Sequence, residues 1–329
     1  MNDRDGGVRA LKALLDPTLV ALVATVTLAT VLPVRGSWAE AFRALTAVGI
    51  AVLFFLYGAR LSRDAVVAGL VHWRLHLVVL ATTFVLFPLL GLALSPLLAP
   101  HFAPELWLGV LFLCALPSTV QSSVAFTAIA RGNVAAAVCG AALSNLLGVF
   151  LTPLLASALL ATHSLTASPL DAVGKIALQL FLPFVAGHLL QPWIGAAIAR
   201  RRRLLAVTDR GTVMLVVYVA FSAAVSGGLW TRVAPGTLVA LAMLAVVLLG
   251  VALGVLHLAA TRLGFDRADR VAMLFCGSNK SLASGVPIAN VLFAGNAALG
   301  MILLPIMLYH PLQLVVCALL AQRQVRSAQ

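Results

Sequence analysis

Apolar residues gather along this chain in ten long blocks, near 17–34, 44–59, 77–99, 106–130, 134–160, 172–192, 212–229, 237–260, 271–294 and 297–320. Each approaches the roughly 20 residues that an α-helix needs to cross the hydrocarbon of a bilayer. The connections are short, so the pattern predicts a bundle of spanning helices and no soluble domain.

Two blocks break their own pattern. In 271–294 the run Cys276-Gly277-Ser278-Asn279-Lys280-Ser281-Leu282-Ala283-Ser284-Gly285-Val286-Pro287 crowds five polar side chains into Ser278 to Ser284. Gly277, Gly285 and Pro287 are expected to weaken the helix there. Irregular backbone at membrane depth persists only where it is buried in protein or lines a wet cavity. Lys280 is the only Lys or Arg at the middle of any block, and an intramembrane charge marks a functional site by default. In 106–130 the interruption is Leu116-Pro117-Ser118-Thr119-Val120-Gln121-Ser122-Ser123.

The blocks divide at the 161–171 loop into five and five, giving halves 1–160 and 172–329. An odd count per half makes the second half enter the bilayer from the opposite side, so two similar halves must form an inverted repeat. Both interruptions fall in the fourth block of a half, and paired interruptions of this kind point to a transporter's binding site. The first is followed by Ala130-Arg131-Gly132-Asn133 and an Ala-rich block, the second by Gly295-Asn296-Ala297-Ala298.

Composition agrees: 62% hydrophobic, 10% charged, mean hydropathy +1.07. That excludes a soluble domain and defines an all-α polytopic membrane protein. A net charge of +12 suggests nucleic acid until its distribution is followed. With the N-terminus inside, seventeen Lys and Arg fall on inner segments against three outside (Arg35, Arg43 and Arg232), while Lys175 and Lys280 lie within blocks. That bias places both termini in the cytoplasm of a cell that carries the chain in its inner (plasma) membrane. The Arg200 to Arg203 run reads as a topology anchor or a lipid patch. The apolar run from Thr18 to Val34 exceeds a usual signal core and is retained as the first span. Cys114, Cys139, Cys276 and Cys317 sit in apolar blocks without metal-ligand spacing and read as free thiols.

At the interruptions the chain resembles the bile acid:sodium symporter family along essentially its whole length. It is most similar to the branch holding the vertebrate orphan member 7 and its bacterial relatives. The residues that carry the likeness are Ala130-Arg131-Gly132-Asn133, Thr152-Pro153-Leu154-Leu155 and Asn279-Lys280-Ser281-Leu282. The resemblance implies ten helices in two inverted five-helix repeats, with broken helices 4 and 9 crossing. It further implies a core (77–160 and 237–320), a panel (17–59 and 172–229) and secondary transport of an organic anion with sodium held near the crossing.

The sodium pattern is incomplete in this chain. Ser123 matches a family sodium-site serine, but the neighbouring Asn is Val124, two hydroxyl positions are Ala137 and Ala141, and a glutamine is Thr83. The glutamate shared by the family's sodium sites falls near Phe275 or Cys276, with Asn279 in place of the following glutamine. All ten carboxylates (Asp3, Asp5, Asp16, Glu40, Asp64, Glu105, Asp171, Asp209, Asp266, Asp269) lie away from mid-span.

The candidate binding residues are Thr83, Ser118, Thr119, Gln121, Ser122, Ser123, Ser144, Asn145, Ser278, Asn279, Lys280, Ser281, Ser284 and His310. Of these, Ser122, Ser123 and Asn279 offer oxygens to a sodium ion; the bland reading is helix-to-helix hydrogen bonding. Lys280 is expected to cap the carbonyls of Cys276 to Ser278, at the negative end of the preceding helix. His188, His257 and His310 are proton-relay or packing residues. No catalytic triad, phosphate loop or zinc motif occurs, and no other cofactor is implied. The expected partners are an organic anion and the bilayer, the expected state a monomer. Coupling to sodium, to protons or to neither stays open, with an anion channel or a membrane scaffold as readings of another class.

Overall fold

The computed structural model describes residues 17–60, 72–161 and 177–326. The loop expected to divide the halves beyond Ala161, Lys175 and the basic residues before Pro17 lie outside the described residues.

Among the described residues the chain is helical throughout. In order the helices are α1 (Pro17–Val31), α2 (Gly36–Arg60), α3 (Trp73–Ala81), α4 (Phe87–Leu98), α5 (Pro104–Ala115), α6 (Val120–Ile129) and α7 (Val134–Ala161). There follow α8 (Leu182–Arg200), α9 (Arg202–Ser226), α10 (Leu229–Arg232), α11 (Pro235–Arg262), α12 (Arg267–Ser278), α13 (Leu282–Leu292) and α14 (Leu299–Arg326). Seven helical stretches are long and apolar enough to cross a membrane, and α5 with α6 forms a broken pair bent by 58°. The remaining two expected blocks hold α1, which is short for a span, and the pair α12 and α13.

The outer faces are apolar. On α11, Val239, Met243, Val246, Val247, Val251, Val255 and Leu258 are exposed, while Leu241, Leu244, Leu248, Leu249, Ala252 and Leu256 are buried. Both faces of this helix are aliphatic, so its outer face suits lipid rather than water. Trp38, Trp73, Trp193 and Trp230 are exposed, the amphipathic rings favoured at membrane interfaces.

Helices α1, α2, α8 and α9 pack on one another. The closest approach is between α2 and α8, where a Cβ at Gly58 would collide with the carbonyl of Phe184 and one at Gly187 with that of Phe55. Glycine at both places lets the two backbones touch, as in other small-residue contacts between membrane helices. Helix α9 is tied to α2 by Tyr57 Oη donating to Asp209 (2.8 Å) and to the end of α1 by Tyr218 Oη donating to the Leu32 carbonyl (2.8 Å). The other long helices pack together around α5, α12 and α14, and α9 lies against α13 and α14.

A π turn (Thr82–Leu86) joins α3 to α4. Phe87 N–H donates to the Thr82 carbonyl, five residues back, and the next residue is Pro88, which has no N–H. The Thr83 carbonyl is thereby left without either of its usual helical donors. Such π turns concentrate at functional sites.

Candidate functional site

The first break is set by Pro117. The residue before a proline is pushed out of the helical region, and Leu116 is extended (ψ 149°). A helix end leaves its last carbonyls without donors, and here a tightened last turn and groups from other elements supply them. Leu113 accepts from Leu116 N–H (3.2 Å), Ala115 from Thr152 Oγ1 (2.9 Å), Pro117 from Ser281 N–H (2.9 Å) and Ser118 from Asn145 Nδ2 (2.6 Å). Ser118 N–H donates to Ser144 Oγ (3.0 Å), so it cannot close a turn on Cys114.

The second break is placed differently from expectation. Helix α12 runs through Gly277 to Ser278, and only Asn279 to Ser281 leave the helix, with Asn279 and Ser281 extended. Pro287 lies inside α13 without ending it. The two glycines serve packing: a Cβ at Gly277 would fall 2.8 Å from Leu256, and one at Gly285 2.6 Å from Leu116. Helix α13 starts cleanly because Ser281 Oγ accepts from Ser284 N–H (3.1 Å), a serine cap.

The breaks meet. Ser118 Oγ donates to the Cys276 carbonyl (2.5 Å), Ser123 Oγ to that of Phe275 (3.0 Å) and Thr119 Oγ1 to that of Lys280 (2.7 Å). Tyr309 Oη, on α14, donates to the Ser278 carbonyl (2.8 Å). Gln313, also on α14, accepts from Lys280 N–H (2.7 Å) and donates to the Lys280 carbonyl (2.9 Å). Nothing in the apolar pattern of the last block singled out Tyr309 or Gln313.

Lys280 is 0% exposed. Its ammonium reaches away from the Cys276 to Ser278 carbonyls it was expected to cap and enters the first break. There Nζ donates to the carbonyls of Thr83 (3.0 Å), Cys114 (3.0 Å) and Leu116 (2.8 Å) and sits 4.0 Å from the centre of the Phe87 ring. Three donors meet three acceptors, one of them the carbonyl freed by the π turn.

The residues proposed for sodium are also brought together. Asn279 Nδ2 donates to Ser122 Oγ (3.2 Å) and Ser123 Oγ (3.1 Å), and Cys317 Sγ donates to Asn279 Oδ1 (3.2 Å). Because Ser123 gives its proton to Phe275, it can only accept from Asn279, which orients the amide. Asn145 accepts from Ser284 Oγ (2.7 Å), so Ser144, Asn145, Ser281 and Ser284 stitch α7 and α13 to the first break. Thr83 Oγ1 turns back to the Val79 carbonyl (2.8 Å), leaving its main-chain oxygen as its contribution. Ser278 Oγ likewise returns to Leu274 (2.6 Å).

Beside this crossing lies a cavity of about 350 Å³. Thr119, Gln121 and Ser122 line it from the start of α6, Leu282 and Ala283 from the start of α13, His310 from α14, and Asp209 with Arg210 from α9. His310 Nδ1 is 2.9 Å from Gln313 Nε2, which connects the cavity to the clamp on Lys280. Arg210 was passed over in the sequence because it sits at the edge of a basic loop and counted towards topology. The Ala130-Arg131-Gly132-Asn133 motif lies apart, docking on α12: Asn133 N–H donates to Ala268 (2.9 Å) and Asn133 Nδ2 to Asp269 (2.8 Å).

Lipid-suited outer faces, two interrupted helices that meet and a cavity of mixed polar and apolar lining beside them fit a multi-pass membrane transporter, not an enzyme. The chain belongs to the SBF-like CPA transporter family, whose model matches residues 16–326, and so to the bile acid:sodium symporter group. It is 57% identical to "Uncharacterized protein PA2026" of Pseudomonas aeruginosa over 94% of this chain and 93% of that one. It is 48% identical to "Putative symporter YfeH" of Escherichia coli K12, over 96% and 95% of the two chains. Identity to "Sodium/bile acid cotransporter 7" of Mus musculus is 28%, over 83% and 81%.

Proposed function

We propose that this chain is a secondary carrier that moves an organic anion by alternating access. The observation that carries the reading is the convergence on one cavity of Arg210 with the first turns of α6 and α13. Helix N-termini favour anionic groups, and two of them facing a guanidinium make a site for a carboxylate, sulfonate or phosphate. Gln121, Ser122 and Thr119 add hydrogen-bonding groups at the rim, while Leu282, Ala283 and Leu314 supply apolar wall. Relatives named as a symporter and as a bile acid cotransporter support the same class of activity.

The carrier has ten spans in two inverted halves, with α5–α6 and α12–α13 as its broken fourth and ninth helices. Helices α1, α2, α8 and α9 form the panel and the rest the core, with the cavity between them. Both termini are cytoplasmic, and the position of Arg210 two turns into α9 supports a cavity that lies towards that side. Proteoliposome flux tests the reading. Saturable uptake with counterflow of an organic anion is expected; an unsaturable current makes the chain a channel, and silence across an anion panel makes it a scaffold.

A further inference from the structure

We infer that Lys280 is a built-in cation at the crossing: its ammonium occupies the position a dissociable monovalent ion would need, so the two breaks stay assembled without sodium. The geometry is that of a cation site in which the ion is covalently attached. Three carbonyl oxygens from two separate elements, Thr83 on the π turn and Cys114 and Leu116 at the first break, converge at 2.8–3.0 Å on one fully buried point. Rings of backbone carbonyls are how membrane proteins replace an ion's hydration shell. The Phe87 face, 4.0 Å away, adds the electron-rich surface that a desolvated cation favours.

Among the described residues these oxygens have no competing donor. Pro88 and the π turn deprive Thr83 of one, Ser144 draws the Ser118 N–H away from Cys114, and the extended Leu116 precedes proline. The cage therefore exists because a cation fills it.

The donor set does not fit sodium. The sequence puts no carboxylate at mid-span to balance the charge of a second ion beside Lys280. In the neighbouring cluster Asn279 turns its NH₂, not its oxygen, towards Ser122 and Ser123, while its oxygen is taken by Cys317. Oxygens 2.8–3.0 Å from the cage centre suit an ammonium-sized cation, and sodium would have to draw them inward. The main chain of Lys280 is held as firmly as its tip, through both ends of the Gln313 amide and through Thr119. One residue thus ties α14, both breaks and the π turn together.

This inference deepens the carrier reading, because the tie lies where the interrupted helices meet. Its test reads stability, so it stands or falls separately from the identity of the cargo. The full chain is purified in detergent, and thermal midpoints are compared in sodium, potassium, ammonium and methylammonium chlorides against N-methylglucamine chloride at equal ionic strength. The native chain is expected to have one midpoint in all of them. Lys280→Ala is expected to have a lower midpoint that ammonium or methylammonium restores saturably and better than sodium does. A native midpoint that rises saturably with sodium overturns the inference, as does a variant indifferent to every small cation. If Lys280→Ala cannot be recovered folded in any salt, the native titration decides alone: sodium stabilisation refutes, indifference sustains.

Discussion

Gln313 holds the peptide of Lys280 at both ends, its Oε1 accepting the N–H at 2.7 Å and its Nε2 donating to the carbonyl at 2.9 Å. A non-helical residue inside a membrane has no helical neighbour to satisfy its main chain, and one side-chain amide supplies a partner at each end. Gln313→Leu keeps the volume and removes both. The Lys280 carbonyl keeps Thr119 Oγ1, so we expect a loss of about 1–3 kcal/mol from the one orphaned buried N–H, read as a clear fall in thermal midpoint. Thr119→Val should cost much less, since the Lys280 carbonyl keeps Gln313. Equal effects of the two substitutions would refute the ranking.

Arg210→Gln removes the positive charge that lines the cavity beside Asp209. A hydrogen bond to a charged group contributes about 1.5–3 kcal/mol, so apparent affinity for the transported anion should fall ten-fold or more. The thermal midpoint should scarcely move. Arg210→Lys should recover part of the affinity, because the charge returns without the bidentate fork. Uptake measured over a range of anion concentrations separates the three chains.

Gly187→Ala places a methyl group against the Phe55 carbonyl, whereas Gly250 faces open space. Overpacking of this kind costs roughly 1–3 kcal/mol or more. Gly187→Ala should lower the yield of folded protein and its midpoint, and Gly250→Ala should change neither. Expression followed by size-exclusion chromatography reads the difference.

A reporter fused after Gln329 should be active only on the cytoplasmic side, as the seventeen-to-three distribution of basic residues requires. A periplasmic signal would overturn both the orientation and the inverted relation of the halves.

Much of the site was legible in the residues because its strongest signals are violations of the apolar pattern. Lys280, Pro117 and the two hydroxyl runs stand out in blocks that are otherwise mostly apolar. The target of Lys280 was not legible, because a backbone carbonyl belongs to every residue alike. Which carbonyls are free is decided by conformation: Thr83 became an acceptor through a π turn whose only trace in the sequence is Pro88. Gln313 was missed for the opposite reason, as a lone amide in an apolar helix carries no periodic signal. Gly277 and Pro287 misled, since glycine and proline mark a break only when the surrounding packing does not need them within the helix.

The glycine contact between α2 and α8 also restricts how this molecule can deform. Two backbones notched into each other at Gly58 and Gly187 have no low-energy sliding coordinate, since displacement by even a fraction of a turn would bring side chains onto carbonyls. That pair must travel as one beam. The glycine contact between α14 and α9 is looser: a Cβ at Gly300 would fall 2.7 Å from the Ala224 side chain and 3.2 Å from the Ala220 carbonyl, against outright collision with carbonyls at Gly58 and Gly187. Labels at the exposed Val52 and Leu189 should therefore keep a constant separation whatever the cavity holds.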